Sequence, residues 1–565
     1  MMRKSVRCQN RQKEICLLSA AIVLYSAVPG LAAPAIDLPD AGQALRNIQR
    51  SERILPEAQR PELDIREGEA AVQPGESGQK VKVEAIVVTG QDVFAPEELA
   101  ALYQAKLHKE MTFGELNRIA ADITQHFRAQ GYLVAQAYLP AQEIVQGRVE
   151  IAVMIGRYGE IVLKNSSLVD DGVIRQQLSG LRPGDYVNNR NLERAVLLAG
   201  DLAGVTAKLT LYPGKAAGTT DILVEALNKE SEAKGSLSVN NWGNRFIGKT
   251  QGNFYYQLDN AAQAGDSLSL GVTHAGAGLD SGFVSYGLPL AEGLELDLGY
   301  SKVRYSLGEE YDFLEAHGTG YTKYARLNWK LVRSRLANAS LLIGYDHKRL
   351  EDLLGISEAV TQKRSHSFSL GLTGNSQDKL WGGGMNGYSL VWYDGRLSGE
   401  SNISDPPTGS WQKTAYSLLR QQALNPRLSA MVSVSGQLAS TNLDSSEKFS
   451  LGGANGVRAY PADEASGDEA WLMTGEVHWL LPVGSSKGTL QLIGFYDHGV
   501  SHSEKHPYDA VNNRRELAAK GLGLRWTVGD QYAVKLDYAW KAGSEQAVSD
   551  KDRNGRLWLQ GISYF

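Results

Sequence analysis

The sequence predicts two small α+β units followed by an all-β, sixteen-stranded barrel that crosses a membrane with its strands. Three observations lead there. No stretch beyond residue 33 is apolar for 18 residues, so helical spans are excluded and a membrane role falls to strands. From about Lys234 onward apolar and polar residues alternate, as in Leu294, Leu296, Leu298 and Tyr300 against Glu295, Asp297, Gly299 and Ser301. All ten tryptophans and 18 of the 25 tyrosines fall in this final portion, where aromatic girdles would sit.

The chain has 565 residues, with 58 Lys+Arg against 63 Asp+Glu, a balance that gives no basic surface for nucleic acid. Arg3, Lys4, Arg7, Arg11 and Lys13 precede an apolar run from Ile15 to Val28 and the small residues Gly30 to Ala35, the pattern of a secretory signal over residues 1–33. Removing it takes five basic residues and one acidic, so the formal charge of −5 becomes −9. Both cysteines, Cys8 and Cys16, go with it. The exported chain then has no thiol, disulfide or cysteine-bound metal.

Residues 36–80 hold Pro39, Pro56, Pro61 and Pro74 among many charges. Composition there fits a short amphipathic helix from Asp40 to about Glu52 followed by a flexible linker, and fits plain disorder equally. Residues 81–156 form a first unit: a strand over Val81 to Val88, a helix opened by the capping box Thr112 and Glu115 with Leu116, Ile119, Ala120, Ile123 and Phe127 on one face, then strands Leu133 to Leu139 and Arg148 to Ile155. Residues 157–229 repeat the order. Strand Glu160 to Leu163 is followed by helices Val169 to Leu178 and Leu192 to Leu202, then by strands Val205 to Leu211 and Thr219 to Ala226.

Residues 233–565 divide into sixteen alternating segments. Up-strands are expected near 233–242, 266–275, 293–305, 337–349, 385–397, 428–440, 487–498 and 531–541. Down-strands are expected near 249–259, 280–288, 320–332, 364–374, 413–423, 470–481, 517–527 and 555–565. A soluble sandwich would alternate as well, but Trp and Tyr near strand ends favour a lipid-facing barrel with an aqueous lumen. The longest connection runs from about Thr441 to Glu469.

That connection is unusual in content. Leu451-Gly452-Gly453-Ala454-Asn455-Gly456-Val457-Arg458-Ala459-Tyr460-Pro461 sets apolar residues and paired glycines around one arginine. A segment of this kind can fold back into the lumen, where Arg458 needs a carboxylate partner. Phe495-Tyr496-Asp497-His498-Gly499, on the next up-strand, offers one: if Leu490, Leu492 and Tyr496 face lipid, Phe495 and Asp497 face the lumen.

These residues resemble the sixth-loop signature, Val-Arg-Gly-Tyr or Val-Arg-Gly-Phe, of the superfamily of outer-membrane insertases and two-partner secretion transporters. Here Ala459 stands where the common pattern has glycine. The double glycine, Leu443-Asp444-Ser445-Ser446 and Gly467-Asp468 are similar to the hemolysin-activator branch, which exports filamentous hemagglutinins and hemolysins. The repeated units resemble polypeptide-transport-associated (POTRA) domains, with Gly131-Tyr132 and Tyr138-Leu139-Pro140-Ala141-Gln142 matching the first of them. The resemblance implies that the helix at 40–52 plugs the barrel, that Asp497 pairs with Arg458, and that Phe565 is the terminal aromatic read by the barrel assembly machinery.

The function so implied is export of one large secreted partner protein across the bacterial outer membrane, with the POTRA domains in the periplasm and outer-membrane lipid and lipopolysaccharide around the barrel. An unfolded partner could add a strand to the edge Leu133 to Leu139, making Leu133, Tyr138, Leu139 and Pro140 candidate binding residues. The alternatives are an assembly insertase of the same superfamily, which usually carries more POTRA units, and a passive porin. No H-E-x-x-H is present, no enzymatic activity is expected, and no cofactor or metal is expected. Lumenal carboxylates are expected in structural networks with Arg and Lys.

Overall fold

The computed structural model describes residues 39–51, 63–65, 80–229, 233–402, 408–482, 488–507 and 513–565. The signal segment and most of the expected linker lie outside these. Helix α1 (Ala41–Ser51) comes first, and β1 (Leu63–Ile65) follows. Three residues of the expected linker are thus a strand, which pairs in parallel with the second periplasmic unit. Backbone pairing with an open sheet edge needs no hydrophobic pattern, so the sequence carries little sign of it.

The first unit contains β2 (Lys80–Val83), β3 (Ala85–Thr89), α2 (Pro96–Ala100), β4 (Lys109–Thr112), α3 (Phe113–Ala129), β5 (Gln136–Tyr138) and β6 (Arg148–Met154). The expected strand Val81 to Val88 breaks at Glu84, whose N–H donates 2.8 Å to the Gly147 carbonyl. On one side of the break β2 pairs with β4, and on the other β3 pairs in parallel with β6. Thr112 and Glu115 close the capping box, and all five apolar residues expected on the helix face are buried. The expected edge Leu133 to Leu139 shrinks to β5, because Leu133 and Val134 turn to pack on the second unit's core and Leu139 packs on the first.

The second unit is β7 (Arg157–Ser166), α4 (Asp171–Gln177), α5 (Asn189–Asp201), β8 (Val205–Pro213) and β9 (Thr219–Asn228), in a sheet ordered β1-β8-β9-β7. It rests on the barrel's near end. Gln176 and Gln177 donate to the Leu290 and Ala291 carbonyls, Arg194 pairs with Glu292 at 2.9 Å, and Asp201 accepts from Lys330 and Arg333.

The remaining strands close one antiparallel barrel. They are β10 (Ala233–Asn240), β11 (Gln251–Asp259), β12 (Ser267–His274), β13 (Leu279–Ala291), β14 (Leu294–Ser306), β15 (Ala316–Arg333), β16 (Ala337–Leu354) and β17 (Ala359–Asp378). Then come β18 (Gly384–Ser401), β19 (Gly409–Asn425), β20 (Leu428–Ala439), β21 (Glu469–Leu481), β22 (Thr489–His502), β23 (Arg514–Val528), β24 (Tyr532–Lys541) and β25 (Gly555–Tyr564). All sixteen expected strands are present.

Strand length is where expectation and structure part. β15, β16 and β18 have 18 residues and β17 has 20, whereas about 9–11 span a hydrocarbon core. The surplus stands above the membrane, where the outer face is no longer apolar and the alternation that marks a strand fades. Along the membrane the outer face is apolar, with Leu370, Leu372, Leu390, Trp392 and Leu522 exposed, while the inner face carries buried Ser365, Ser367 and Ser369.

Candidate functional site

Loop 440–468 folds into the lumen. Its apolar residues Leu451, Val457, Ala459 and Tyr460 are buried against Phe495, Leu517, Ala519 and Ala539 of the barrel wall. Small wall residues leave the space that this cluster fills. The turn holding the arginine is tied by Val457 N–H to the Leu451 carbonyl at 2.7 Å and by Gly453 N–H to the Tyr460 carbonyl at 3.3 Å. Gly452 bridges to Val457. A side chain on Gly499 would meet the Leu451 side chain at 2.8 Å, so this glycine admits the loop.

Arg458 is 3% exposed and Asp497 0%. The guanidinium grips Asp497 through Nε at 2.9 Å and Nη2 at 2.7 Å, and the Arg458 backbone N–H adds a third bond at 3.1 Å. Nη1 reaches Glu476 at 2.8 Å and lies 3.6 Å from Asp537. The guanidinium carbon lies 3.4 Å from the centre of the Phe495 ring, which forms a flat floor beneath the charge. Trp558 donates 2.6 Å to the Arg458 carbonyl. A bidentate, stacked pair of this kind fixes direction as well as charge, which a lysine would not do.

Other anchors hold the loop to the far wall. Lys363 meets Asp444 at 2.7 Å, and Lys348 and Lys413 both meet Glu447, at 2.5 and 2.8 Å. Buried Glu464 accepts from Arg515, Ser549 and two backbone N–H groups, Val548 and Ser549, which ties the loop to the segment between β24 and β25. The loop therefore crosses the lumen as a strut fastened by charge at both ends.

Helix α1 lies beside it. Ala41, Ala44 and Leu45, one helical face, pack on Val303, Tyr305 and Leu350 of the wall. Asp40 caps the helix by accepting from Gln43 N–H at 2.8 Å, and its other oxygen accepts from Ser445. Arg46 donates 2.6 Å to the Lys448 carbonyl. A Cβ on Gly42 would come within 2.7 Å of Ser446 N, so only glycine lets the helix lie this close to the loop. Beyond the two elements a cavity of about 450 Å³ remains along β10–β13, lined by polar Ser236, Ser238, Asn253, Tyr255, Ser281 and Lys535.

The sequence pointed to Gly452, Gly453, Val457, Arg458, Ala459 and Tyr460 of the loop and to Phe495, Asp497 and Gly499 of the wall, and the structure brings these together. It adds Glu476, Asp537 and Trp558, whose only signal was an inward position in the alternation. Ala459 lies outside the positive-φ positions, so its backbone has no need of glycine. The periplasmic candidates are dispersed: Tyr138 is 46% exposed, Leu133 and Leu139 are partly buried on different cores, and Pro140 lies beyond the end of β5 at Tyr138. The Ala137 N–H donates 2.8 Å to Thr124 Oγ1, so β5 presents less of a free edge than strand addition requires. Phe565 exchanges two backbone hydrogen bonds with Gly235 where β25 meets β10, and its ring stacks near Phe254.

Residues 218–526 match the family model described as haemolysin secretion/activation protein ShlB/FhaC/HecB, and residues 81–156 match the POTRA domain, ShlB-type. The chain belongs to this haemolysin secretion/activation family. It is an outer-membrane two-partner secretion transporter with POTRA domains in the periplasm, a reading favoured over an assembly insertase. It is 28% identical over 552 residues to the heme/hemopexin transporter protein HuxB of Haemophilus influenzae, covering 94% of this chain and 96% of the relative. To the outer membrane transporter CdiB of Escherichia coli it is 24% identical over 539 residues, 91% and 90% of the two chains. The solved structure of CdiB from Escherichia coli superimposes with a TM-score of 0.74 at 20% identity, over 94% of this chain and all of the other, which shows the shared fold. The family's characterised role is transport rather than catalysis.

Proposed function

We propose that the transporter takes one large exoprotein, an adhesin or hemolysin, unfolded from the periplasm and threads it through its own lumen, with α1 leaving and the loop strut held in place by Arg458 and Asp497. The observation that carries this is the way the lumen is closed. Besides their apolar clusters, its two blocking elements are fastened by ionic and hydrogen-bonded contacts beside a cavity that carries Ser, Asn and Lys side chains, contacts that water can replace when one element departs. The one string that fits G-x-x-x-x-G-K-[ST], Gly243 to Thr250, joins barrel strands β10 and β11 with no helix after it and so is not a nucleotide loop, and folding of the partner outside supplies the drive.

In the periplasm, the capture surface centres on the exposed ring of Tyr138 with Leu139 and Pro140, and Leu133 supports it from the junction between the POTRA domains. Addition of a strand at β5 requires Thr124 to release Ala137. The remaining partners are lipid, lipopolysaccharide and, during biogenesis, the assembly machinery that reads Phe565. Neither a cofactor nor a catalytic step enters this account.

The test is removal of residues 39–51. In planar bilayers the shortened protein should conduct several-fold more than the full chain and, in cells, should still secrete. Unchanged conductance would show that α1 is not what closes the lumen.

A further inference from the structure

The extended strands β15–β18 carry a patch on their outer face that secretion does not use. Registered neighbours lie on the same face of a sheet, so a row can be followed across the strands: Tyr300, Lys323, His347, His366 and Arg396 are successive partners from β14 to β18. The row above it reads Lys302, Tyr321, Arg349 and Arg364. Immediately beneath lie Tyr345 and Phe368, with Leu370 and Trp392 below them, all exposed on the lipid side. Five Lys or Arg side chains and two histidines thus stand on the rim of the aromatic belt, at the height of the outer-leaflet headgroups.

Like charges placed directly opposite across a sheet repel, and here Arg349 faces Arg364. Among the described residues none of Lys302, Lys323, Arg349, Arg364 and Arg396 forms an ion pair with a carboxylate. Three carboxylates share this face: Glu351 accepts from Gln362 and Asp394 from Gln412, each at 2.8 Å, while Glu400, opposite Gln362, forms no ion pair with any of the five cations among the described residues. The inner face of the same strands is treated differently, since Lys348 and Lys363 are both matched to acids. With strands about 4.8 Å apart, the charged row from β15 to β18 is about 14 Å wide, wider than one free phosphate.

We propose that this patch is a binding site for the phosphorylated headgroup of lipopolysaccharide, seated with its phosphates on Lys323, Arg349, Arg364 and Arg396 and its acyl chains along Phe368, Leu370 and Trp392. The site rests on the outer-membrane setting of the transporter and fixes one lipid at one side of the barrel. Charge complementarity argues for the phosphates, and the greasy belt directly below argues for a lipid-borne rather than a free anion.

The experiment uses the full-length protein, delipidated in mild detergent and re-exposed to lipopolysaccharide, with bound lipid counted by native mass spectrometry. The comparison protein carries Lys323→Gln, Arg349→Gln, Arg364→Gln and Arg396→Gln. Heat-modifiable migration reports whether each barrel is folded, and Lys520→Gln, on the opposite wall, is the control. One lipid should bind the wild type and the control, and affinity should fall about fivefold per charge removed. Equal binding by the quadruple variant overturns the site, as does equal binding of lipid stripped of its phosphates or full competition by millimolar inorganic phosphate. Failure of the outer-membrane setting on which the site rests looks different: wild type and variant would both be missing from the outer-membrane fraction.

Discussion

At the residue scale the account rests on Arg458. Removing it leaves Asp497, Glu476 and Asp537 facing one another with Arg525 and Lys535 as the neighbouring cations, whereas removing Asp497 leaves Arg458 with two other acids. Arg458→Ala should therefore destabilise the loop by about 3–5 kcal/mol, and Asp497→Ala by less. Limited proteolysis of loop 440–468 reads this, and equal protection of the two variants would contradict it. Ala459→Gly should change stability by less than about 1 kcal/mol in a thermal melt, because the position already has an ordinary backbone conformation. Gly499→Val should expose the loop to protease as Arg458→Ala does, by displacing Leu451. The pairing of Arg458 with Asp497 was legible because an arginine amid apolar loop residues has to find an acid and the next up-strand carried an inward Asp. Glu476 and Asp537 were not, since a lone carboxylate on a polar lumenal face looks like any other.

At the element scale, the strands of the barrel were legible because lipid on one side and water on the other impose a period of two on every one of them. What was not legible lies where that contrast ends: the upper parts of β15–β18, the three residues of β1, and the short true edge at β5. The helix α1 shows the same limit, since the contact face among its described side chains is Ala41, Ala44 and Leu45 around a glycine. Gly42→Leu should push α1 off the loop and raise the open fraction of single channels several-fold, as bilayer recordings would show. The seat of the second POTRA domain is also an element-scale device. Burial would raise the Asp201 carboxyl, but the hydrogen bonds and charges of Arg333 and Lys330 outweigh it and hold it below its ordinary 3.8. A lowered acid favours docking above its free value, so contact of α5 with the barrel turn should persist from neutral pH downward and be lost only as pH falls below about 3.8. Hydrogen exchange of 195–203 against pH should follow that course, and Asp201→Asn should remove the acid transition.

At the scale of the whole molecule, a barrel whose lumen holds α1 and loop 440–468, with POTRA domains on one end, forms the proposed single route from periplasm to outside for one cargo. The direct test compares the secreted and outer-membrane proteomes of cells with and without this protein. Loss of one large exoprotein from the medium, with the outer-membrane proteins unchanged, is the result the account predicts. Broad loss of outer-membrane proteins, with no single exoprotein missing, would contradict it.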